Sequence, residues 1–275
     1  MRDLPLYPER HQNTGLALQR QRDTLLERAS QRPQRLREAM DALRWESVFE
    51  TLRLTGATVS RETVAELAGR SAEATVTVEP VDDAERQLHE LIRGQLQALR
   101  AIEAVARTDK NLTAELVQEV HRLSMPHDPS GGRFRSQPIA GQFATSTPSP
   151  PQLIAVKIDN LCDWLSVDSG RGMHPPEKAA LAFARLLEIS PFEHGNFRAA
   201  HILLSFFALA EGYPPLFLRF DHAEEVREEV EGAMRFETLP LVNRLARALT
   251  ESLTFCLEAV SWRCEVPPPT ESPPW

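Results

Sequence analysis

Ser190-Pro191-Phe192-Glu193-His194-Gly195-Asn196-Phe197-Arg198-Ala199-Ala200-His201 is the stretch on which the reading of this chain turns. It follows one helix-forming segment, Pro175 to Glu188, and opens another, Gly195 to Ala210. Successive backbone N–H groups at a helix start form an anion-binding concavity, and the helix dipole reinforces it. Arg198 adds a guanidinium fork suited to phosphate oxygens. Pro191 sets the turn, and Phe192 is expected to pack inward and anchor it. Taken alone, these residues also suit an ordinary glycine-containing connection between two helices, so the flanking chain has to decide.

Helical periodicity dominates on both sides. Apolar positions from Leu16 to Leu52 predict two helices broken near Pro33, the second closed at Thr55-Gly56, where glycine tolerates the left-handed conformation. Ser60 caps a short helix through Ala68, with Glu62 in its first turn. Asp83 to Ala106 reads as a long amphipathic helix, and Thr113 caps another that ends at Met125-Pro126. Further helices are predicted over Gln152–Leu165, Ala223–Phe236 and Leu239–Trp262. Thr75 to Val81 alternates as a short strand would. His127 to Pro151 breaks the pattern, being rich in Gly, Pro, Ser and Thr. There a hairpin is expected, with strands Arg133–Ile139 and Phe143–Thr145 joined through Ala140-Gly141-Gln142. The fold class expected is all-α, a helical bundle with a β-hairpin insertion.

The 275 residues are 42% hydrophobic and 25% charged, enough for one sizeable core or two modest ones. A net charge of -8 disfavours sequence-independent binding to nucleic acid, which needs clustered cations. The cysteines, Cys162, Cys256 and Cys264, form no Cys-x-x-Cys pair, so neither a disulfide framework nor a zinc site is suggested. No apolar run approaches the ~20 residues a bilayer span requires. Nothing at Met1–Pro5 reads as a secretion signal. The expectation is a soluble cytoplasmic protein that does not enter membranes. Five prolines between Val266 and Trp275 predict a disordered tail.

Order and spacing of several motifs then agree with one family. The central stretch resembles the Fic (Fido) motif, His-Pro-Phe-x-Asp/Glu-Gly-Asn-Gly-Arg-x-x-Arg. Ala179 through Ala184 is similar to the alanine-rich helix that precedes it. Leu116 through Leu123, ending His121-Arg122-Leu123, resembles the family's upstream helix. Gly131-Gly132-Arg133-Phe134-Arg135 and Thr147-Pro148-Ser149-Pro150-Pro151 resemble the beginning and end of the family's flap. Trp164-Leu165 and Gly212-Tyr213-Pro214 fall where family members often carry the same residues. The likeness covers roughly residues 40 to 255. It implies a Fic-type bundle over 57–262, a helical extension over 1–56 and a proline-rich tail over 263–275.

The resemblance also implies a chemistry. Fic domains hold ATP with Mg2+ on the motif loop, and the flap aligns a segment of a target protein by strand addition. The motif histidine takes a proton from a target hydroxyl, which attacks the α-phosphate and becomes AMP-modified. By this likeness Gly195, Asn196, Phe197, Arg198 and His201 are the phosphate and nucleotide positions, and Ile139, Ala140, Gly141 and Gln142 are the flap. The partners implied are a protein target or a regulatory protein, with a nucleotide and a homodimer left open.

Four positions depart from the pattern. Ser190 stands at the histidine position, and a serine hydroxyl is no general base near neutral pH. His194 replaces the acidic residue that helps hold Mg2+, a cation that prefers oxygen ligands. Phe197 replaces the second glycine, and His201 the second arginine with its permanent charge. The expectation is a domain that has lost AMP transfer and keeps a binding or regulatory role. The alternative is an active transferase of a nucleotide or another phosphate-containing group that uses non-standard residues.

Family members often carry an inhibitory helix whose glutamate faces the second arginine. Glu46-Ser47-Val48-Phe49-Glu50-Thr51 places Glu50 at that glutamate, so Glu50 is expected to face His201 and raise its pKa. The competing reading is a solvated surface glutamate. A metal cluster of His194, His201 and His121 is also conceivable, but no pair has the i, i+4 spacing of a helical zinc site. His121 is expected instead to make a buried hydrogen bond.

Overall fold

The computed structural model describes residues 9–72, 83–143, 146–167 and 172–261. The strand expected at 75–81, Cys264 and the tail from 263 lie outside them. The helices in chain order are α1 (Glu9–Gln31), α2 (Pro33–Leu54), α3 (Arg61–Ala72), α4 (Asp83–Thr108), α5 (Ala114–Ser124), α6 (Ile154–Ser166), α7 (Pro175–Ile189), α8 (Asn196–Leu209), α9 (Ala223–Met234) and α10 (Leu239–Ser261). Single 3-10 turns at Pro151–Leu153 and Phe220–His222 precede α6 and α9.

Local chemistry explains most boundaries. Proline opens α2 at its first position, and Gly56, at φ +88°, closes it with the Ala57 N–H donating to the Leu52 carbonyl at 2.9 Å. The Thr113 hydroxyl accepts from the Leu116 N–H at 3.2 Å and starts α5. Glu177 reaches back from the first turn of α7 to accept the His174 N–H at 3.0 Å.

The most closely packed helix pair is α7 and α8. Every residue of α8 from Ala199 through Ala208 is buried, as expected of a helix that is apolar all round. Buried alanines 179, 180, 182 and 184 give α7 a small-residue surface that lets neighbouring backbones approach. Around the pair, α4 and α5 pack on α8, α6 and α9 pack on α7, and α10 packs on α7, α1 and α2. α2 also reaches α4 and α8, so the N-terminal helices share the common core. Cys162 and Cys256 lie in it as free thiols, each pushed up to about 12 by burial.

The expected hairpin is not seen. No strand occurs among the described residues, and Ala144 and Thr145 lie outside them. Hydrogen bonding gives the physical reason. The Arg135 N–H donates to the Pro191 carbonyl at 2.9 Å and the Ser149 N–H to the Ile189 carbonyl at 3.3 Å. The segment thus spends backbone groups on the α7–α8 loop instead of on a partner strand. No helix among the described residues is long and apolar enough to cross a membrane.

Candidate functional site

The loop between α7 and α8 is closed by its own side chains. Ser190 takes a left-handed conformation (φ 46°, ψ 66°), uncommon for a residue with a Cβ. Its N–H donates to the Leu186 carbonyl at 2.9 Å and its hydroxyl to the Leu187 carbonyl at 2.6 Å, which ends α7. Asn196 clamps the other side of the loop reciprocally. Its Oδ1 accepts the Phe192 N–H at 2.9 Å, and its Nδ2 donates to the Phe192 carbonyl at 2.8 Å. The Phe192 ring, 1% exposed, stacks on His121 with centroids 3.7 Å apart and planes 6° apart.

Arg135 fixes this loop from below. Its buried guanidinium donates to the carbonyls of Ser190 at 2.8 Å, Gln137 at 2.8 Å and Ser149 at 2.5 Å. The fork thereby ties both ends of the flap segment to the motif loop. His121 adds a second tie. The Gly132 N–H donates to its Nδ1 at 2.9 Å, so its Nε2–H donates to the His194 carbonyl at 2.9 Å. The buried hydrogen bond expected of His121 is present, and burial pushes its pKa below the ordinary value. Both ring nitrogens are occupied.

Above the loop opens a cleft of about 560 Å³. Ser190, Glu193, His194, Gly195, Asn196, Phe197 and Arg198 line it, together with Ile139, Ala140 and Gln142 from the flap segment. Gly141, His201 and Glu50 are not among its lining residues. Gly195 takes φ +70° at the N-cap of α8. Phe197, at the second-glycine position, turns its ring edge-on to Phe183 at 5.5 Å and stacks on His201 at 6.0 Å. Arg198 is half-buried, and burial lowers its pKa from the usual arginine range. Its partners are weak. Nη1 meets the Met125 sulfur at 2.8 Å and the Ser124 carbonyl at 3.5 Å, Nη2 meets the Thr55 hydroxyl at 3.4 Å, and the buried Nε has no partner.

The expected Glu50–His201 pair is not formed. His201 is fully buried, and the Leu218 N–H donates to its Nε2 at 2.9 Å, with the Leu218 carbonyl 3.2 Å from the same nitrogen. With Nε2 accepting at the shorter contact, Nδ1–H donates to the Thr51 hydroxyl at 2.8 Å, which in turn donates to the Ser47 carbonyl at 2.6 Å. Burial pushes His201 down to about 4, opposite to the expected direction. Glu50 is not a solvated glutamate either, being 2% exposed. Its carboxylate accepts the Phe220 N–H at 2.7 Å and meets Arg61 at 3.4 Å and Arg219 at 3.8 Å. Burial raises its pKa, with Glu46 adding to the rise and the Phe220 N–H, Arg219 and Arg61 opposing it.

The cofactors implied by resemblance fit unequally. An anionic phosphoryl group suits the unpartnered Arg198 Nε and the N-terminal end of the α8 dipole. Mg2+ fits poorly. His194 presents nitrogen to a cation that takes oxygen, and Glu193 is the one carboxylate among the cleft's lining residues. No group of three or more His, Cys, Asp or Glu among the described residues gathers to hold a metal, so the proposed three-histidine cluster is not formed. Leu54, Thr55, Gly56 and Met125 also line the cleft, and the sequence reading assigned none of them to it. Met125 was visible only as the end of α5 and Thr55 only as the end of α2.

Comparison with known proteins places these features. The Fic/DOC family model matches residues 111–208, which run from the start of α5 through the motif and most of α8. The protein adenylyltransferase Fic of Nematostella vectensis is 26% identical over 168 residues, covering 60% of this chain and 39% of that protein. The chain spans less than half the length of the curated relatives it matches. Two solved structures share the fold. Residues 134–508 of Fic-1 from C. elegans align with a TM-score of 0.74 at 24% identity, over 90% of this chain and 71% of that one. A Fic domain containing signaling protein from Bacteroides thetaiotaomicron aligns at 0.75 and 22%, over 89% and 97%. With the motif loop and the helix pair that carries it, residues 111–208 match the Fic/DOC family, and the chain shares the fold of solved Fic structures.

Proposed function

We propose that this domain binds a phosphate-containing ligand, a nucleotide in the first place, and has given up AMP transfer for a binding or regulatory role toward a protein partner. The observation that carries this reading is the fate of Ser190. It stands where the family has its histidine, and its hydroxyl proton is committed to the Leu187 carbonyl at 2.6 Å. Transfer needs a base within hydrogen-bond reach of the attacking hydroxyl, and a hydroxyl that closes its own helix supplies none. Arg198, with its buried unpartnered Nε, supports retention of an anion. Burying a cation without an anionic partner is costly, and a bound phosphate would offset that cost. Glu50 does not act here as a removable inhibitor, because its carboxylate is engaged by Phe220, Arg61 and Arg219 away from the cleft lining.

The test has two arms. ATP titrated into the protein by calorimetry, with and without Mg2+, should bind with little dependence on the cation, and Arg198→Ala should abolish binding. Incubation with labelled ATP should leave protein and lysate unlabelled. Labelling that changes on Ser190→Ala would overturn the loss of transfer.

One observation favours the second reading, an active transferase with altered residues. His194 is exposed on the loop and lines the same cleft as Ser190 and Arg198. An imidazole there could take the proton that the family's histidine takes. Label transfer lost in His194→Ala and kept in Ser190→Ala would establish this alternative.

A further inference from the structure

Met125 follows the last turn of α5 and reaches the start of the motif helix. Its sulfur accepts from Arg198 Nη1 at 2.8 Å. The same side chain covers Gly195. A Cβ placed on that glycine would lie 2.7 Å from the sulfur and 3.0 Å from Met125 Cγ. One thioether therefore sits on both the cation and the first residue of the α8 N-terminus, the two features that would receive an anion. Sulfur is a weak acceptor, and a guanidinium bonds far more strongly to an anionic oxygen. The remaining contacts of Arg198, at 3.4 and 3.5 Å, are long for hydrogen bonds.

Met125 also has somewhere to go. Besides the motif cleft, it lines a second depression of about 370 Å³, on the side of α4, walled by Gly94, Arg122, Leu123, Pro126 and Gly131. It forms part of the wall of both. Methionine is unbranched, with three rotatable bonds, and exchanges rotamers more cheaply than a β-branched or aromatic residue.

We propose that Met125 gates the anion site: its thioether takes the position of a phosphoryl oxygen at Arg198 and turns aside when an anion binds. The proposal rests on the phosphate-binding reading above. A ligand that binds only the open arrangement has its apparent affinity reduced by the fraction of protein that is open. Removing the thioether therefore raises affinity, whereas filling its volume with another apolar side chain does not.

Inorganic pyrophosphate titrated by calorimetry into the full chain and into Met125→Ala and Met125→Leu tests this. Met125→Ala should bind about tenfold more tightly than the parent, and Met125→Leu no more tightly than the parent. In the parent protein with 13C-labelled methionine methyls, the Met125 signal should shift on saturation with pyrophosphate, which keeps the test independent of whether Met125→Ala folds. Equal affinity of parent and Met125→Ala, or a Met125 methyl unmoved at saturation, overturns the gate and leaves the anion site standing. No binding by the parent or either variant overturns the anion site and the gate together.

Discussion

The Thr51 hydroxyl lies 2.8 Å from His201 Nδ1 in the interior of the protein, and this bond joins α2 to the motif helix α8. It occupies the place where the sequence reading put Glu50. Thr51 and Glu50 are neighbours on one helix, about 100° apart around its axis. The rotation of α2 turns Thr51 toward α8 and Glu50 toward the Phe220 N–H.

In the neutral His201 ring Nε2 accepts from the Leu218 N–H at 2.9 Å, the shorter of its two contacts with Leu218. Its value of about 4 lies below the ordinary 6.5. The neutral ring's contribution is therefore whole above pH 6.5 and is lost as pH falls toward 4, roughly 3 kcal/mol at the limit. Glu50, with its raised pKa, works in the opposite direction, so the effect is read as a difference between proteins. Urea denaturation at pH 7, 6 and 5 should show a shallower acid loss in His201→Gln than in the parent. Equal slopes would show that His201 titrates normally in the fold.

Thr51→Val keeps the volume and removes the hydroxyl. It leaves His201 Nδ1–H buried without an acceptor, so about 1–3 kcal/mol of stability should be lost. A thermal midpoint within a degree of the parent would mean that water or another group replaces the hydroxyl.

Ser190→Ala removes the bond to the Leu187 carbonyl but keeps a Cβ at φ 46°, so it should cost about 1 kcal/mol. Ser190→Gly loses the same bond while relieving about 1 kcal/mol of left-handed strain, and should be close to neutral. Chemical denaturation ranks the two. Ser190→Gly falling below Ser190→Ala would contradict the strain.

Arg135→Ala unties the carbonyls of Ser190, Gln137 and Ser149 and should cost about 3 kcal/mol or more. Lysine, a point charge without the planar fork, should recover little of it. Proteolysis should then cut first within 133–150, the segment that Arg135 holds against the motif loop. Full recovery by lysine would mean that charge, and not the fork, holds the flap segment.

Glu50→Ala should lose about 2 kcal/mol, because the Phe220 N–H is left without its acceptor and Arg61 and Arg219 lose a partner. ATP affinity, measured by the same calorimetry, should be unchanged. A clear gain in affinity would restore Glu50 to the inhibitory role that the family resemblance suggested.

The helices and their ends were legible in the sequence because their causes are local. Pro33, Gly56 and Thr113 act within a turn of where they stand, and the apolar row of α4 declares itself at helical spacing. The motif loop was legible for the same reason, since Asn196 clamps Phe192 four residues away. What the sequence left open lies in contacts between distant segments. The expected flap strands failed because Arg135 directs that backbone to Pro191, 56 residues on. The Arg198–Met125 contact spans 73 residues, and the Thr51–His201 bond spans 150. By itself the sequence determined an all-helical family scaffold with an anion-suited turn and no histidine at Ser190. Only the tertiary structure decided which face of α2 meets that scaffold and what rests on Arg198, because a helix's rotation about its axis is set by the packing of every neighbour at once.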